Sequence, residues 1–437
     1  MRNRKLRIHL ARHLVLLAVF VPGAASANIP RLATFGTQPV FMSALGALPS
    51  AVATNAVNGS LWLDDDYNVF YNPAYVNGYR DYAILQKGFE GGAFKRVGEL
   101  MVAGVYFNRG GAGRGFLSQT GVYSSGAQRQ YAPGLIAPGV REIGGPGGVN
   151  AYTGGTPGAA GETHLPLDLF LGSDYSAKWG VHLATAQSPI LKQGNEKNAR
   201  YWHADLGAQF LGFEPFVGMT FASRVAYSNP GLGPSQGVQN LDEYDAGMRF
   251  RYEGWSPYLV FHRFVVSGTP MAAARQIKTR MHVFGLGLGR DFELTPGLRL
   301  YQHLGFFMNS VQDGDTALST RVFPEIYRDY TQYTIPLNLG LENQCNEWVT
   351  LRAGLSYQVI NAADYDSSKP DARTARANLR RIPEIRAGGS ARWNEYAVDV
   401  VAGNGFATSN GPAFDENGGF EAGFFATASL TYRFPQY

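Results

Sequence analysis

The sequence predicts an all-β fold: an antiparallel transmembrane β-barrel of about 14 strands, with 16 as the alternative. Three observations predict it. From His164 onward the chain is a train of segments in which apolar and polar residues alternate with period two. A strand places successive side chains on opposite faces, so each segment has one apolar and one polar face. The connections alternate short and long, as turns and loops of outer-membrane barrels do. Composition agrees, with 54 Gly, 27 Phe, 24 Tyr and only 16% charged residues. The mean hydropathy of −0.16 suits strands that are apolar on one side only.

From the start of the chain, residues 1–27 read as a secretory signal peptide. Arg2, Arg4, Lys5, Arg7 and Arg12 form a basic region, Leu14 to Val21 a short apolar core, and Ala25-Ser26-Ala27 a small-x-small cleavage site. The mature chain is expected to begin at Asn28. The apolar run is too short to span a bilayer comfortably. The single cysteine, Cys345, permits no internal disulfide, and no cysteine follows the leader to carry a lipid anchor. The expected location is the outer membrane of a Gram-negative cell, among lipid and lipopolysaccharide.

Residues 28–97 lack clear dyad repeats and are expected to form a plug or hatch on the periplasmic side. The wall is expected to occupy 98–437, with 98–107 as its first strand. Residues 108–162 are Gly-rich, carry Pro133, Pro138, Pro146 and Pro157, and exceed an ordinary loop. They are expected to form an extracellular cap, a constriction folded into the lumen, or a surface loop. Strands then start near 164, 177, 199, 215, 242, 256, 278, 297, 328, 347, 381 and 395. In one, Trp202, Ala204, Leu206 and Ala208 alternate with His203, Asp205, Gly207 and Gln209. The last strand, 420–434, alternates most clearly and is expected to be the handle for the barrel-assembly machinery. With the C-terminus on the periplasmic side, parity of turns and loops counts about fourteen strands. Segment 81–87 adds to the count only with a partner upstream, which gives the alternative of sixteen.

Within the N-terminal region lies Asp64-Asp65-Asp66-Tyr67-Asn68-Val69-Phe70-Tyr71-Asn72-Pro73-Ala74-Tyr75. The Phe-Tyr-Asn-Pro-Ala stretch resembles the Asn-Pro-Ala element near the N-terminus of the long-chain fatty-acid transporter (FadL-like) family. The resemblance implies a fourteen-stranded barrel, a hatch turn at Asn72, Pro73 and Ala74, and a hydrophobic cargo. This chain departs after Ala74, where Tyr75-Val76-Asn77 stands in place of the family's usual Gly. Without the resemblance, Asn-Pro is a turn initiator. The acidic triplet lacks the spacing of a Ca²⁺ loop and reads as a solvated turn.

The polar stripes discriminate function. Arg249, Arg251, Asp245, Arg299, Arg352, Asp205, His203, Glu342, Asp399, Glu421 and Arg433 are expected to line the pore. Charge on that face suits a water-filled lumen or charge pairing across it. The expected function is porin-like passive diffusion of small hydrophilic solutes. The alternatives are hatch-gated transport of hydrophobic compounds, a structural or adhesive barrel, and a barrel lipid hydrolase. No nucleophile-elbow or metalloprotease spacing occurs, so no catalytic residue, metal or cofactor is expected. The formal charge of +4 is scattered, which gives no nucleic-acid footprint. Monomer and trimer are both open.

Overall fold

The computed structural model of this chain describes residues 29–35, 59–86, 90–107, 167–192, 195–228, 236–269, 277–313, 328–366, 376–405 and 423–434. Residues 1–27, expected to be a signal peptide, and the Gly-rich stretch 108–162 lie outside the described residues.

A short helix, α1 (Ile29–Phe35), precedes two single-turn 3-10 helices, Asp66–Phe70 and Pro73–Asn77. The strands follow: β1 (Tyr82–Gln86), β2 (Glu90–Val97), β3 (Met101–Phe107), β4 (Leu167–Tyr175), β5 (Ala177–Lys192), β6 (Asn195–Gln209), β7 (Phe213–Ser228) and β8 (Gln236–Phe250). Then come β9 (Trp255–Thr269), β10 (Ile277–Thr295), β11 (Leu298–Asp313), β12 (Arg328–Gln344), β13 (Val349–Asp366), β14 (Arg376–Trp393), β15 (Tyr396–Gly405) and β16 (Gly423–Arg433). Each strand pairs antiparallel with its chain neighbours, and β1 pairs with β16, so sixteen strands close into one barrel.

The parity count of fourteen is thereby corrected to the alternative of sixteen. The missing pair is β1 and β2, and the partner of the 81–87 segment lies downstream, not upstream. The wall therefore begins at Tyr82, inside the stretch expected to stand apart from it. Both strands are short, 5 and 8 residues, and Gly91-Gly92-Ala93 interrupts the apolar alternation that marks the others.

Alternation sets the two faces. Leu206, Leu259, Leu286, Leu337 and Leu355 stand exposed, while their neighbours Asp205, Tyr258, Asn338 and Ser356 are buried. A continuous outward belt of Leu and aromatic side chains is far larger than the patches soluble monomers tolerate, and it fits hydrocarbon. Among the described residues no helix is long and apolar enough to cross a membrane; the strands do so.

At one end every connection between strands is short; at the other, only β1–β2 and β5–β6 follow each other as closely. Leu211-Gly212 and Glu253-Gly254 take positive φ at both positions, 49° and 83° in the first and 47° and 79° in the second. That backbone matches the twist of two-residue hairpins, and glycine takes the second position at no steric cost.

The N-terminal segment packs against the wall at two places. Helix α1 meets β12 to β16, whereas the second 3-10 helix meets β3 to β6 on the other side. The two parts also meet each other: the Arg31 guanidinium donates to the Asp64 carbonyl at 2.5 Å. The segment's contacts fall near the short turns, at Gly207, Glu214 and Arg249 on one side and Glu342 and Gly354 on the other.

Candidate functional site

The inner face near the short turns carries three groups of polar side chains, each placed by strand register. The first centres on Arg249 of β8, which is fully buried. It donates to Glu214 Oε2 at 2.5 Å, to the Leu63 carbonyl at 3.1 Å and to Asp64 Oδ1 at 2.6 Å, and also meets the Tyr75 hydroxyl. Tyr75 donates to the same Glu214 oxygen at 2.6 Å. Arg251 adds a contact of 2.5 Å to Asp64 Oδ2. Glu214 and Arg249 face each other across paired strands β7 and β8. Two wall residues thus clamp the segment 63–75.

The second group holds α1. The Arg31 side chain meets Glu342 Oε2 at 3.1 Å and the Tyr301 hydroxyl at 3.2 Å, and its guanidinium lies 5.6 Å from the Phe35 and Tyr301 ring centres. Glu342 also accepts from Arg352 at 2.6 Å, and Arg352 reaches Asp399 at 2.8 Å. Arg386 donates to the Ala33 carbonyl at 2.6 Å, satisfying an orphan carbonyl of the helix.

The Asp64-Asp65-Asp66 triplet is therefore no solvated turn. Asp64 pairs with Arg249 and Arg251, Asp65 and Asp66 are buried, and Asp65 faces Arg31 at 3.5 Å. Burial raises the Asp65 carboxyl above its ordinary range, with the Arg31 charge opposing that shift.

Asn72 caps the second 3-10 helix: its Oδ1 accepts from the Ala74 amide at 3.1 Å, and Pro73 occupies the first turn. Its Nδ2 lies 3.4 Å from the carbonyls of Ala208 and Pro215 in the wall. A β-carbon at Gly207 would collide with this carboxamide, so the wall needs glycine there. Asn72, Pro73 and Ala74 are all buried.

The third group lies on β4 to β8. His182 presents Nδ1 to Asp205 Oδ2 at 2.6 Å and Nε2 to Asp168 Oδ1 at 2.8 Å. His203 Nε2 lies 3.0 Å from Asp205 Oδ1 and 3.7 Å from Asp245 Oδ1. All five residues are buried. The Phe170 ring stacks on His182 at 4.4 Å, and Phe70 of the internal segment meets it edge-on at 5.9 Å.

Of the residues expected on the inner face, Arg249, Arg251, Asp245, Arg352, Asp205, His203, Glu342 and Asp399 fall into these groups. Arg299 and Arg433 are exposed near the short turns, and Glu421 lies outside the described residues. Arg31, Asp64, Tyr75 and Glu214 were not expected in the site. Their signal was faint: a lone arginine or acid in a stretch without alternation has no face to assign.

Comparison with known proteins finds distant barrels. HasR of Serratia marcescens, a double mutant in complex with its hemophore HasA and heme, overlays with a TM-score of 0.35 at 12% identity, over 56% of this chain and 43% of that one. The siderophore receptor PiuA of Acinetobacter baumannii gives 0.37 at 9% identity, over 62% and 53%. A deltaS2 mutant of the TodX monoaromatic hydrocarbon channel gives 0.30 at 11% identity, over 62% and 84%. The chain spans about half the length of the first two, 43% and 53%. No protein-family model and no curated protein matches the chain.

Proposed function

We propose that this chain is an outer-membrane transport channel whose lumen is held shut at the short-turn end by its own residues 29–35 and 59–79. One observation carries the reading: the segment is bonded to opposite walls, through Arg249 and Glu214 on one side and Glu342 and Arg386 on the other. Sixteen strands enclose a lumen wide enough for water and small solutes unless something fills it. The charged inner face favours small hydrophilic solutes, which cross passively once the segment withdraws. A second reading, passage of hydrophobic compounds past a hatch at Asn72-Pro73-Ala74, draws support from the buried inner-face rings Phe94, Tyr106, Phe170, Phe216 and Phe307.

The test is single-channel conductance in a planar bilayer. The intact chain is expected to be silent or to flicker, and a variant lacking 29–79 to give stable ohmic steps. Stable steps of equal size from both would overturn gating. Ohmic steps absent from the deleted barrel, with uptake of a hydrophobic compound retained, would favour the second reading.

A further inference from the structure

From the geometry on β6, β7 and β8, we propose a binding site for a first-row divalent metal ion inside the barrel, with Zn²⁺ as the reference ion. Its ligands are His203 Nε2, Asp205 Oδ1 and Asp245 Oδ1. These three atoms lie within 4.8 Å of one another, the one such group among the described residues. The separations from His203, 3.0 and 3.7 Å, bracket the spacing of about 3.4 Å between ligands held ~2.1 Å from a tetrahedral ion.

Register and sequence bring the donors together. His203 and Asp205 are two apart on one strand and so share a face. Asp205 and Asp245 each pair with Gly218 of the strand between them. A side chain at Gly218 would strike both carboxylates, so its absence leaves the space in which they converge. Strand β7 also bulges there: Trp202 pairs with Ala222 while His203 pairs with Thr220, and the register with β8 shifts between Met219 and Val225. Bulges recur beside functional sites because they re-aim side chains.

The outer partners match those of metal ligands. His203 Nδ1 lies 3.1 Å from Thr220 Oγ1, which fixes the ring and leaves Nε2 facing the carboxylates. Asp205 Oδ2 is taken by His182, itself anchored to Asp168, and this turns Asp205 Oδ1 toward the site. One imidazole with two carboxylates suits Zn²⁺, Co²⁺ or a similar ion better than Ca²⁺ or Mg²⁺, which take all-oxygen shells. Three protein ligands leave a coordination position open to water or to a solute.

The test uses the untagged full chain, stripped with chelator and dialysed against Zn²⁺ or Co²⁺, with heat-modifiable migration confirming a closed barrel. One equivalent of Zn²⁺ is expected, resistant to excess Mg²⁺ and Ca²⁺, and Co²⁺ should give the visible absorption of a low-coordinate site. H203A and D245N should lose the equivalent. H182Q, which alters only a positioning residue, should weaken binding about 10–100-fold and shift the Co²⁺ spectrum. No bound equivalent in the wild-type barrel would overturn the site, even if every variant misfolds. Binding unchanged in H203A and D245N would overturn it too. Binding is read without current, so failure here is distinct from failure of the gating proposal.

Discussion

Arg249 has no exposure to solvent and meets Glu214, Asp64 and the Tyr75 hydroxyl besides the Leu63 carbonyl. A buried charge loses several kcal/mol of hydration and is tolerable only when every donor is met. Arg249→Ala would leave Glu214 buried opposite Asp64, with Arg251 as the remaining cation. The expected cost is about 3–5 kcal/mol. It should fall on docking of the segment, since the barrel ladder needs no side chain. Limited proteolysis should then cut between residues 59 and 79 in Arg249→Ala and spare the wild type. Arg299→Ala, at an exposed position, should change stability by about 0.5 kcal/mol or less. At this scale the faces are legible in sequence: period two puts Asp205 and Ser356 inward and Leu206 and Leu355 outward. Partners are not. Nothing in the alternation around Arg249 points to Asp64, 185 residues away.

Among the elements, the seam between β1 and β16 is one of the two shortest, with five residue pairs. Asp81 stands just before it with φ of 61°, in the left-handed region that Asp tolerates better than most residues. Its carboxylate accepts from the Arg96 amide at 3.2 Å and faces Lys95 at 3.4 Å, while its carbonyl accepts from the Phe434 amide at 2.8 Å. One residue thus ties β1 to β2 and to the end of β16. Desolvation pushes this carboxyl up, but the Arg96 amide and then Lys95 outweigh it, and the net shift is downward. A carboxyl lowered in the folded state adds stability that is complete above its unfolded pKa and is lost as pH falls through the folded value. Seam stability should therefore be flat at neutral pH and drop only in acid, below the ordinary carboxylate range. Asp81→Asn, which keeps the left-handed preference, should remove that acid-side drop. Thermal unfolding followed against pH by heat-modifiable migration reads the difference. The long strands β10 to β14 are legible from sequence because 16 to 19 residues of alternation rise above composition. β1 and β2 are not, because 5 and 8 residues interrupted by glycines give period two nothing to repeat over.

For the whole molecule, wall and internal segment are separable in chemistry. The wall is held by a backbone ladder that closes on itself, leaving no edge. The segment is held by side chains. Deleting 29–79 should leave a barrel that still migrates as a compact, heat-modifiable species. Deleting 29–97 removes β1 and β2, opens two edges and should abolish that species. Equal behaviour of the two deletions would refute the separation. The sequence carries the wall at this scale because lipid imposes one repeating pattern on every strand. The filling follows no such rule, since its residues answer to particular neighbours on distant strands.

The meeting of β1 with β16 also constrains the order of events during biogenesis. In the proposed arrangement, residues 29–79 are made before the wall around them, and β16, which closes the wall, after β1 to β15. Loop-closure entropy rises only with the logarithm of chain length, so joining such distant strands is affordable. Timing is the stricter demand. Arg249 and Glu214 can first meet Asp64 and Tyr75 while the sheet is still an open, curling ribbon, which admits the segment from the side, whereas a sealed cylinder admits it only through its mouth. The maturing chain then wraps around residues 29–79, and slow assembly intermediates should be C-shaped sheets with residues 59–79 already docked.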